Sequence, residues 1–349
     1  MPKVLISDVM SVRAEAVFKE RGIEVDVITG MDPQELKNCI GEYHGLAVRS
    51  STKVDEEIVA AAKKLKVIGR AGIGVDNIDV SAASARGIVV MNTPFGNSIT
   101  TAEHAIAMMF ALARDIPLAS ASTHSGKWEK SNFMGVELTA KTLGIIGCGN
   151  IGAIVADRAL GLKMKVIAYD PYLSIERASE IGIEKIELNE LFMRSDFISL
   201  HTPMTDATKG IINADALARM KDGVRIINCA RGGLINEPDL KVAIETGKVS
   251  GAGIDVFEVE PALDNILFGL DKVIATPHLG ASTDEAQVNV AIQVAEQLSD
   301  YLNDGTVINS INMPSVSAED ATKLAPYLEL AEQIGSFAGQ VTELSLIHI

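Results

Sequence analysis

Three segments of the chain place reactive side chains directly after short apolar runs. In Asn228-Cys229-Ala230-Arg231-Gly232-Gly233 an arginine follows the run Arg225–Cys229 and precedes two glycines. In Gly253-Ile254-Asp255-Val256-Phe257-Glu258-Val259-Glu260-Pro261 carboxylates follow the next run, and in Ala275-Thr276-Pro277-His278-Leu279-Gly280 a histidine follows the last. A guanidinium in such a place can clamp a carboxylate and polarise a neighbouring carbonyl. An imidazole whose second nitrogen is held by a carboxylate is an acid/base group tuned near neutral pH. Taken singly, each has a plain alternative: Arg231 as a helix cap, Glu260 as a solvated acid, His278 as an ordinary loop residue. Their joint placement after successive strands of one sheet favours a catalytic set, because the ligand crevice of an open parallel sheet lies outside the carboxyl ends of its strands.

A second constellation is Gly147-Cys148-Gly149-Asn150-Ile151-Gly152, a G-x-G-x-x-G between a strand-like run and a helical one. In this setting Gly147 permits the tight turn, Gly149 lets backbone approach a pyrophosphate, and Gly152 lets helix and strand pack closely. The helix N-terminus then offers N–H groups and the positive end of its dipole to phosphates. Eighteen residues past Gly152 the next strand ends in Tyr169-Asp170-Pro171. A carboxylate there accepts hydrogen bonds from a ribose 2′-hydroxyl and repels a 2′-phosphate, so NAD is expected over NADP. Such a site fixes the cofactor and leaves the reaction open.

The elements that must position these groups alternate between strand and helix. Lys3–Ser7, Glu24–Ile28, Gly45–Val48 and Val67–Gly69 read as strands, with helical stretches such as Ser11–Arg21 and Asp55–Leu65 between them. A second series contains the strands Thr142–Gly147, Lys165–Asp170, Phe197–His201, Arg225–Cys229, Gly253–Val256 and Val273–Thr276, with a helix over Ile151–Leu162. Strands that are short apolar runs are covered on both faces, and the alternation predicts an α/β fold of two doubly wound parallel sheets. Between the two series, Thr100 and Glu103 fit a capping box opening a long helix that is apolar nearly all round, expected to lie buried between domains or subunits. Ser282–Asn303 is helical, and Ala318–Val341 is mostly so, with Leu324, Leu328, Ala331, Ile334, Phe337, Ala338 and Val341 on one stripe.

Composition narrows the classes. The chain has 349 residues, 31 Lys and Arg against 46 Asp and Glu, a net charge of −15, and 47% apolar residues. Length predicts two or three domains. The negative surface disfavours nucleic acid and anionic membranes, and no uncharged apolar run reaches the ~18 residues of a span. Cys39, Cys148 and Cys229 are odd in number and far apart, which suggests neither a disulfide framework nor a metal cluster and fits a reducing, cytoplasmic setting. The first residues read as a strand and not as a signal peptide. The end, Leu344-Ser345-Leu346-Ile347-His348-Ile349, is either an ordinary apolar tail or a translated adapter; it reads as the latter, so the natural chain is expected to continue past Glu343.

With these motifs the chain resembles the D-isomer-specific 2-hydroxyacid dehydrogenases over essentially Lys3 to Glu343. The resemblance is carried by Gly69-Arg70-Ala71-Gly72-Ile73-Gly74-Val75-Asp76-Asn77, Gly147–Gly152, Asn228–Gly233, Asp255–Pro261 and Pro277–Thr283. It is strongest to the long, serine-pathway members. The resemblance implies a Rossmann cofactor domain and a flavodoxin-like substrate domain, with His278 as acid/base, Glu260 orienting it and favouring its protonated form, and Arg231 clamping the substrate carboxylate. It implies NAD on Gly147, Gly149, Asn150, Ile151, Gly152, Asp170, Thr202, Cys229, Ala230, Asp255 and Gly280. Two positions depart from the family: Asn150 stands where Arg is frequent, and Ile73 where Thr is frequent.

At the substrate end, Ala71-Gly72-Ile73-Gly74 follows a strand, and successive N–H groups with glycine freedom form an anion nest. The resemblance gives Gly72, Ile73 and Gly74 to the substrate acid. Arg49 is the candidate for a distal phosphate, and Lys130, in Trp128-Glu129-Lys130-Ser131, for reaching a neighbouring subunit's site; a solvated surface charge is the alternative for both. The expected domains are 1–98 with 283–314 for substrate, 99–282 for NAD, and 315–349 as the start of a truncated further module. A cleft that closes before hydride transfer is expected. The implied reaction is NAD-dependent oxidation of 3-phospho-D-glycerate to 3-phosphohydroxypyruvate, the first step toward serine, by a homodimer or homotetramer that binds neither nucleic acid nor membrane. The alternatives are a glyoxylate or hydroxypyruvate reductase with the same machinery, and a non-catalytic NAD-sensing corepressor.

Overall fold

The computed structural model describes residues 1–314, with Leu324, Tyr327, Leu330, Ala331 and 333–338. The expected further module at 315–349 falls largely outside the described residues, as do Leu328 and Val341 of its stripe. Leu324, Ile334 and Phe337 are exposed.

The chain divides into two units. The first comprises Met1–Asn97 and the chain from Thr283 on, and the second Ser98–Ser282. The first unit is built on β1 (Lys3–Ile6), β2 (Glu24–Val27), β3 (Gly45–Val48), β4 (Val67–Arg70) and β5 (Val89–Asn92). All pair in parallel, in the order β2-β1-β3-β4-β5. This is the doubly wound order in which the chain reverses direction beside β1. Sequence reading finds four of these strands and misses β5, whose Val-Val-Met-Asn gives no alternation.

The helix Asp284–Asp304 completes this unit. Val290, Ala291, Val294, Ala295 and Leu298 are buried among Val4, Ala47 and Val67. Gly69 makes the close approach possible. A Cβ there would lie 2.3 Å from Leu298 Cδ1 and 2.5 Å from Val294 Cγ2.

The second unit carries β6 (Thr142–Ile146), β7 (Lys165–Tyr169), β8 (Glu184–Lys185), β9 (Phe197–Leu200), β10 (Val224–Asn228), β11 (Val249–Ile254) and β12 (Val273–Ala275). They form one parallel sheet in the order β12-β11-β10-β9-β6-β7-β8, so the winding reverses between β6 and β9. Alternate residues feed opposite faces: Leu143, Ile145 and Phe197 enter one core, and Ile146, Ile198 and Leu200 the other. That alternation between two covered faces is why the strands read as continuous apolar runs. The two-residue β8 carries too little pattern to be seen in the sequence.

The long apolar helix is Ser98–Ala113. It starts two residues before Thr100, so the expected capping box at Thr100 and Glu103 is instead its first turn. Ala102, Ala105, Met108, Met109 and Leu112 are buried in the second unit, while Ile99 and Phe110 are exposed. Within a single chain the burial is therefore one-sided.

Candidate active site

Every reactive group in the second unit follows the carboxyl end of a parallel strand, where side chains are freed from the sheet while their backbones remain anchored. Gly147 follows β6, Asp170 follows β7, Thr202 stands two residues past β9, Arg231 three past β10, Asp255 follows β11, and His278 stands three past β12.

The glycine turn is shaped for backbone approach. Gly147 has φ +90°, and a Cβ on it would sit 2.6 Å from the His201 carbonyl oxygen and 2.9 Å from the Thr202 nitrogen. A Cβ on Gly152 would meet the Gly147 oxygen at 2.1 Å. Gly149 faces open space and is the N-cap of the helix Asn150–Gly161, whose first turn has no side-chain cap. Asp170 accepts the Cys148 N–H at 2.7 Å with Oδ2 and the Tyr172 N–H at 2.7 Å with Oδ1. A carboxylate offers about four lone-pair sites, so two remain for a diol. Uncapped helix N–H groups, a glycine facing open space and a half-buried acid at the end of β7 fit a dinucleotide's pyrophosphate and ribose. Asn150 and Ile151 form the helix's first residues at this turn.

The acid/base pair is formed directly. His278 Nδ1 lies 2.7 Å from Glu260 Oε2, and Glu260 Oε1 accepts the Phe257 N–H at 3.0 Å. The hydrogen bond that His278 donates to Glu260 is the main reason the imidazole is held above its usual range, outweighing partial burial and the opposing positive charge of Arg231. Burial pushes Glu260 up, but the His278 and Phe257 donors outweigh it and hold the carboxyl below its usual range.

Arg231 reaches the same region. The Asn228 side-chain amide donates to its carbonyl at 2.9 Å, and its own Nη1 donates to the Ala230 carbonyl at 2.7 Å. The Ala230 N–H is held by Asn228 Oδ1 at 3.0 Å. The following Gly232 lies so close to the strand-end turn that a Cβ would be 1.8 Å from the Phe257 oxygen. The arginine loop and the turn carrying Glu260 are thereby pressed together.

Asp255 is fully buried. It accepts from the Thr276 hydroxyl at 2.6 Å, the Leu279 N–H at 2.7 Å and the Gly280 N–H at 2.8 Å. Burial raises its carboxyl, and these donors with His104 outweigh that and hold it low. His104, Cys229 and Asp255 bring one potential ligand atom each within 4.8 Å of one another. Both Asp255 oxygens are already engaged, so the cluster is a hydrogen-bonded brace and not an open ligand set. Burial raises the Cys229 thiol, which disfavours a nucleophilic role. In the sequence His104 carries no signal beyond a single imidazole within an apolar helix.

The substrate candidates Arg49, Gly72, Ile73 and Gly74 belong to the first unit. Asp8 accepts the Arg49 N–H at 2.5 Å and the Thr52 hydroxyl at 2.8 Å, and Arg49 Nη1 donates to the Val9 carbonyl at 3.0 Å. In the glycine loop, the Gly72 N–H already donates to Thr93 Oγ1 at 2.6 Å, and Asn92 donates to the Ile73 carbonyl at 2.6 Å. The nest is thus narrower than the sequence suggests. Among the described residues, the N–H groups of Ile73 and Gly74 have no protein acceptor, and Gly72 acts as support. Sequence reading missed Asn92 and Thr93, which lie at and just past the end of the unseen β5. Lys130, in the second unit, is exposed and makes no hydrogen bond or ion pair among the described residues.

Residues 106–280 match the model of the D-isomer specific 2-hydroxyacid dehydrogenase NAD binding domain. The chain is 50% identical to a D-3-phosphoglycerate dehydrogenase of Synechocystis over 98% of its own length and 61% of the relative's. It is 48% identical to the enzyme of that name from Archaeoglobus fulgidus over 96% of this chain and 64% of the relative. It therefore spans somewhat under two thirds of these curated relatives. Among solved structures, a glyoxylate reductase from Paecilomyes thermophila matches with a TM-score of 0.82 and 30% identity, over 89% of this chain and 98% of that one.

Proposed function

This chain belongs to the D-isomer-specific 2-hydroxyacid dehydrogenases, and on that premise we propose that it oxidises 3-phospho-D-glycerate to 3-phosphohydroxypyruvate with NAD⁺, opening a route to serine. The observation that carries the reading is the His278–Glu260 pair beside the Arg231 loop, on the sheet that also holds the uncapped glycine turn. The likeness to D-3-phosphoglycerate dehydrogenases at 50% and 48% identity supports the choice of substrate.

Each residue has a task in this reading. NAD, when bound, supplies the nicotinamide carbon that accepts or returns hydride. Neutral His278 takes the hydroxyl proton on its free Nε2, because Nδ1 faces Glu260. The carboxylate of Glu260 fixes that ring and stabilises the imidazolium once formed, as an orienting acid does for a general base. In the reverse direction the imidazolium returns the proton to the keto oxygen. Arg231 clamps the carboxylate next to the reacting carbon and draws electron density from its carbonyl. In the first unit, the N–H groups of Ile73 and Gly74 are assigned to a carboxylate and Arg49 to a phosphate.

A reductase of glyoxylate or hydroxypyruvate is the second reading, favoured by the structural likeness to a glyoxylate reductase. Rates on phosphohydroxypyruvate, hydroxypyruvate and glyoxylate, followed by NADH absorbance, separate the two. A clear preference for the phosphorylated acid is expected; equal or better turnover of glyoxylate overturns the primary reading, and no turnover at all favours a non-catalytic NAD sensor.

The assembly we infer is a homodimer through the helix Ile116–His124 and the segment after it. That helix, which opens on the exposed Ile116, has no buried residue, and Trp128 and Met134 stand exposed in the segment after it. Light scattering of the purified chain tests this, and a monomer at micromolar concentration would refute it. Among the described residues no single helix is long and apolar enough to cross a membrane. We place the protein in the cytoplasm, supported by three free cysteines.

A further inference from the structure

We propose that His104 is a positioning residue for His278, acting through the buried carboxylate of Asp255; the proposal rests on the dehydrogenase reading above. His278 has φ +55°, a left-handed conformation that non-glycine residues rarely adopt. Its loop must therefore be held from outside. Nearly all of that hold converges on one residue. Asp255 accepts from the Thr276 hydroxyl and from the N–H groups of Leu279 and Gly280 through its carboxylate, and from the His278 N–H at 2.9 Å through its backbone carbonyl.

A carboxylate with no solvent exposure depends on protein donors. His104 Nε2 stands 3.3 Å from Asp255 Oδ1 and 3.3 Å from Thr276 Oγ1, where its N–H completes the set. The imidazole comes from the helix Ser98–Ala113, whose neighbouring Thr101, Ala102, Ala105 and Met108 are buried. Thr101 also touches the loop: its Cγ2 is 3.4 Å from where a Gly280 Cβ would lie. The helix is the rigid element, His104 the link, and Asp255 the hub that fixes where the His278 ring meets Glu260. Without the link, Asp255 and Thr276 lose their shared tether to the helix, and the ring shifts against Glu260. His104 touches none of the reacting groups, so its effect is on geometry alone.

The test uses His104→Leu and His104→Gln in the full chain, with the His278 imidazole titrated by NMR and its signal assigned through His278→Ala. In His104→Leu the His278 midpoint should fall toward the ordinary 6.5. NADH affinity, read by fluorescence, should stay within about twofold, while turnover of phosphohydroxypyruvate drops about tenfold or more, the usual scale for a slightly misplaced reacting group. His104→Gln, whose amide can reach the same oxygen, should recover most of both. An unchanged His278 titration in His104→Leu overturns the proposal whether or not the wild type turns over, so failure of the dehydrogenase reading shows separately as a wild type without turnover. If His104→Leu does not fold, Thr276→Val cuts the hub from the loop side; it should lower the same midpoint, and a wild-type titration there also overturns the proposal.

Discussion

Glu260 holds His278 by one carboxylate oxygen and its own turn by the other: Oε2 faces the imidazole at 2.7 Å and Oε1 accepts the Phe257 N–H at 3.0 Å. The acid is thereby oriented before the histidine is, and cannot rotate away without losing a backbone bond. In the proposed reaction this arrangement would link the pH response to one side chain.

The sign of that response follows from the raised affinity of His278 for its proton. In the proposed reaction, oxidation of the hydroxy acid needs the neutral base, so its rate should climb as pH rises through a midpoint above 6.5. Reduction of the keto acid needs the imidazolium and should fall through the same midpoint. Glu260→Gln removes the favouring charge, so both midpoints should drop toward 6.5, and kcat should fall about 10- to 100-fold. Initial rates in both directions from pH 5 to 10 check this; profiles that do not move in the variant would detach Glu260 from the titration.

Arg231 is a fork and not merely a charge. Arg231→Lys keeps the cation but loses the planar bidentate geometry. It should lower kcat/KM for the keto acid by about 100-fold while leaving NADH affinity close to wild type, since one lost charge-assisted contact at a reacting carboxylate acts on the substrate alone. Steady-state kinetics with parallel NADH fluorescence would expose a cofactor role if both constants fell together.

Asp170 has two duties, a ribose contact in the proposed site and support of the glycine turn through the Cys148 N–H. Asp170→Ala should weaken NADH binding about 10- to 100-fold, the scale for losing hydrogen bonds to a charged group. Asp170→Asn keeps an acceptor for the turn, and should retain thermal stability better than Asp170→Ala. Paired titration and melting curves decide; equal melting temperatures would leave the turn independent of this acid.

Gly152→Ala asks for a methyl group where the Gly147 oxygen lies 2.1 Å away. Backbone cannot swing aside as a side chain can, so the variant should lose about 1–3 kcal/mol by overpacking. Urea denaturation would measure it, and a wild-type midpoint would mean the helix slides without penalty.

The two sheets, the glycine turn and the trio Arg231, Glu260 and His278 were legible because each is a local pattern: a polar residue at the end of a short apolar run. β5 and β8 were not, one being a four-residue run without alternation and the other only two residues long. The helix start at Ser98 was misread because Thr100 and Glu103 have the spacing of a cap without its position. The Asp255 brace had no sequence signature at all. Its partners sit at 104, 276, 279 and 280, and hydrogen bonds across such separations leave no period to read. The same holds for Thr93, which occupies the Gly72 N–H from 21 residues away.

The helix Asp284–Asp304 covers the core of the sheet built by Met1–Asn97. Synthesis runs from the first residue onward, so that sheet emerges with Val4, Ala47 and Val67 met by Ala14, Val17 and Phe18 but not yet by this helix. It stays so while nearly two hundred further residues are made. The intervening unit can settle on its own in the meantime, whereas the earlier-made half must wait for its lid. The leading end of a newborn chain is therefore where part of the apolar surface stays open longest, the kind of exposure that favours clumping.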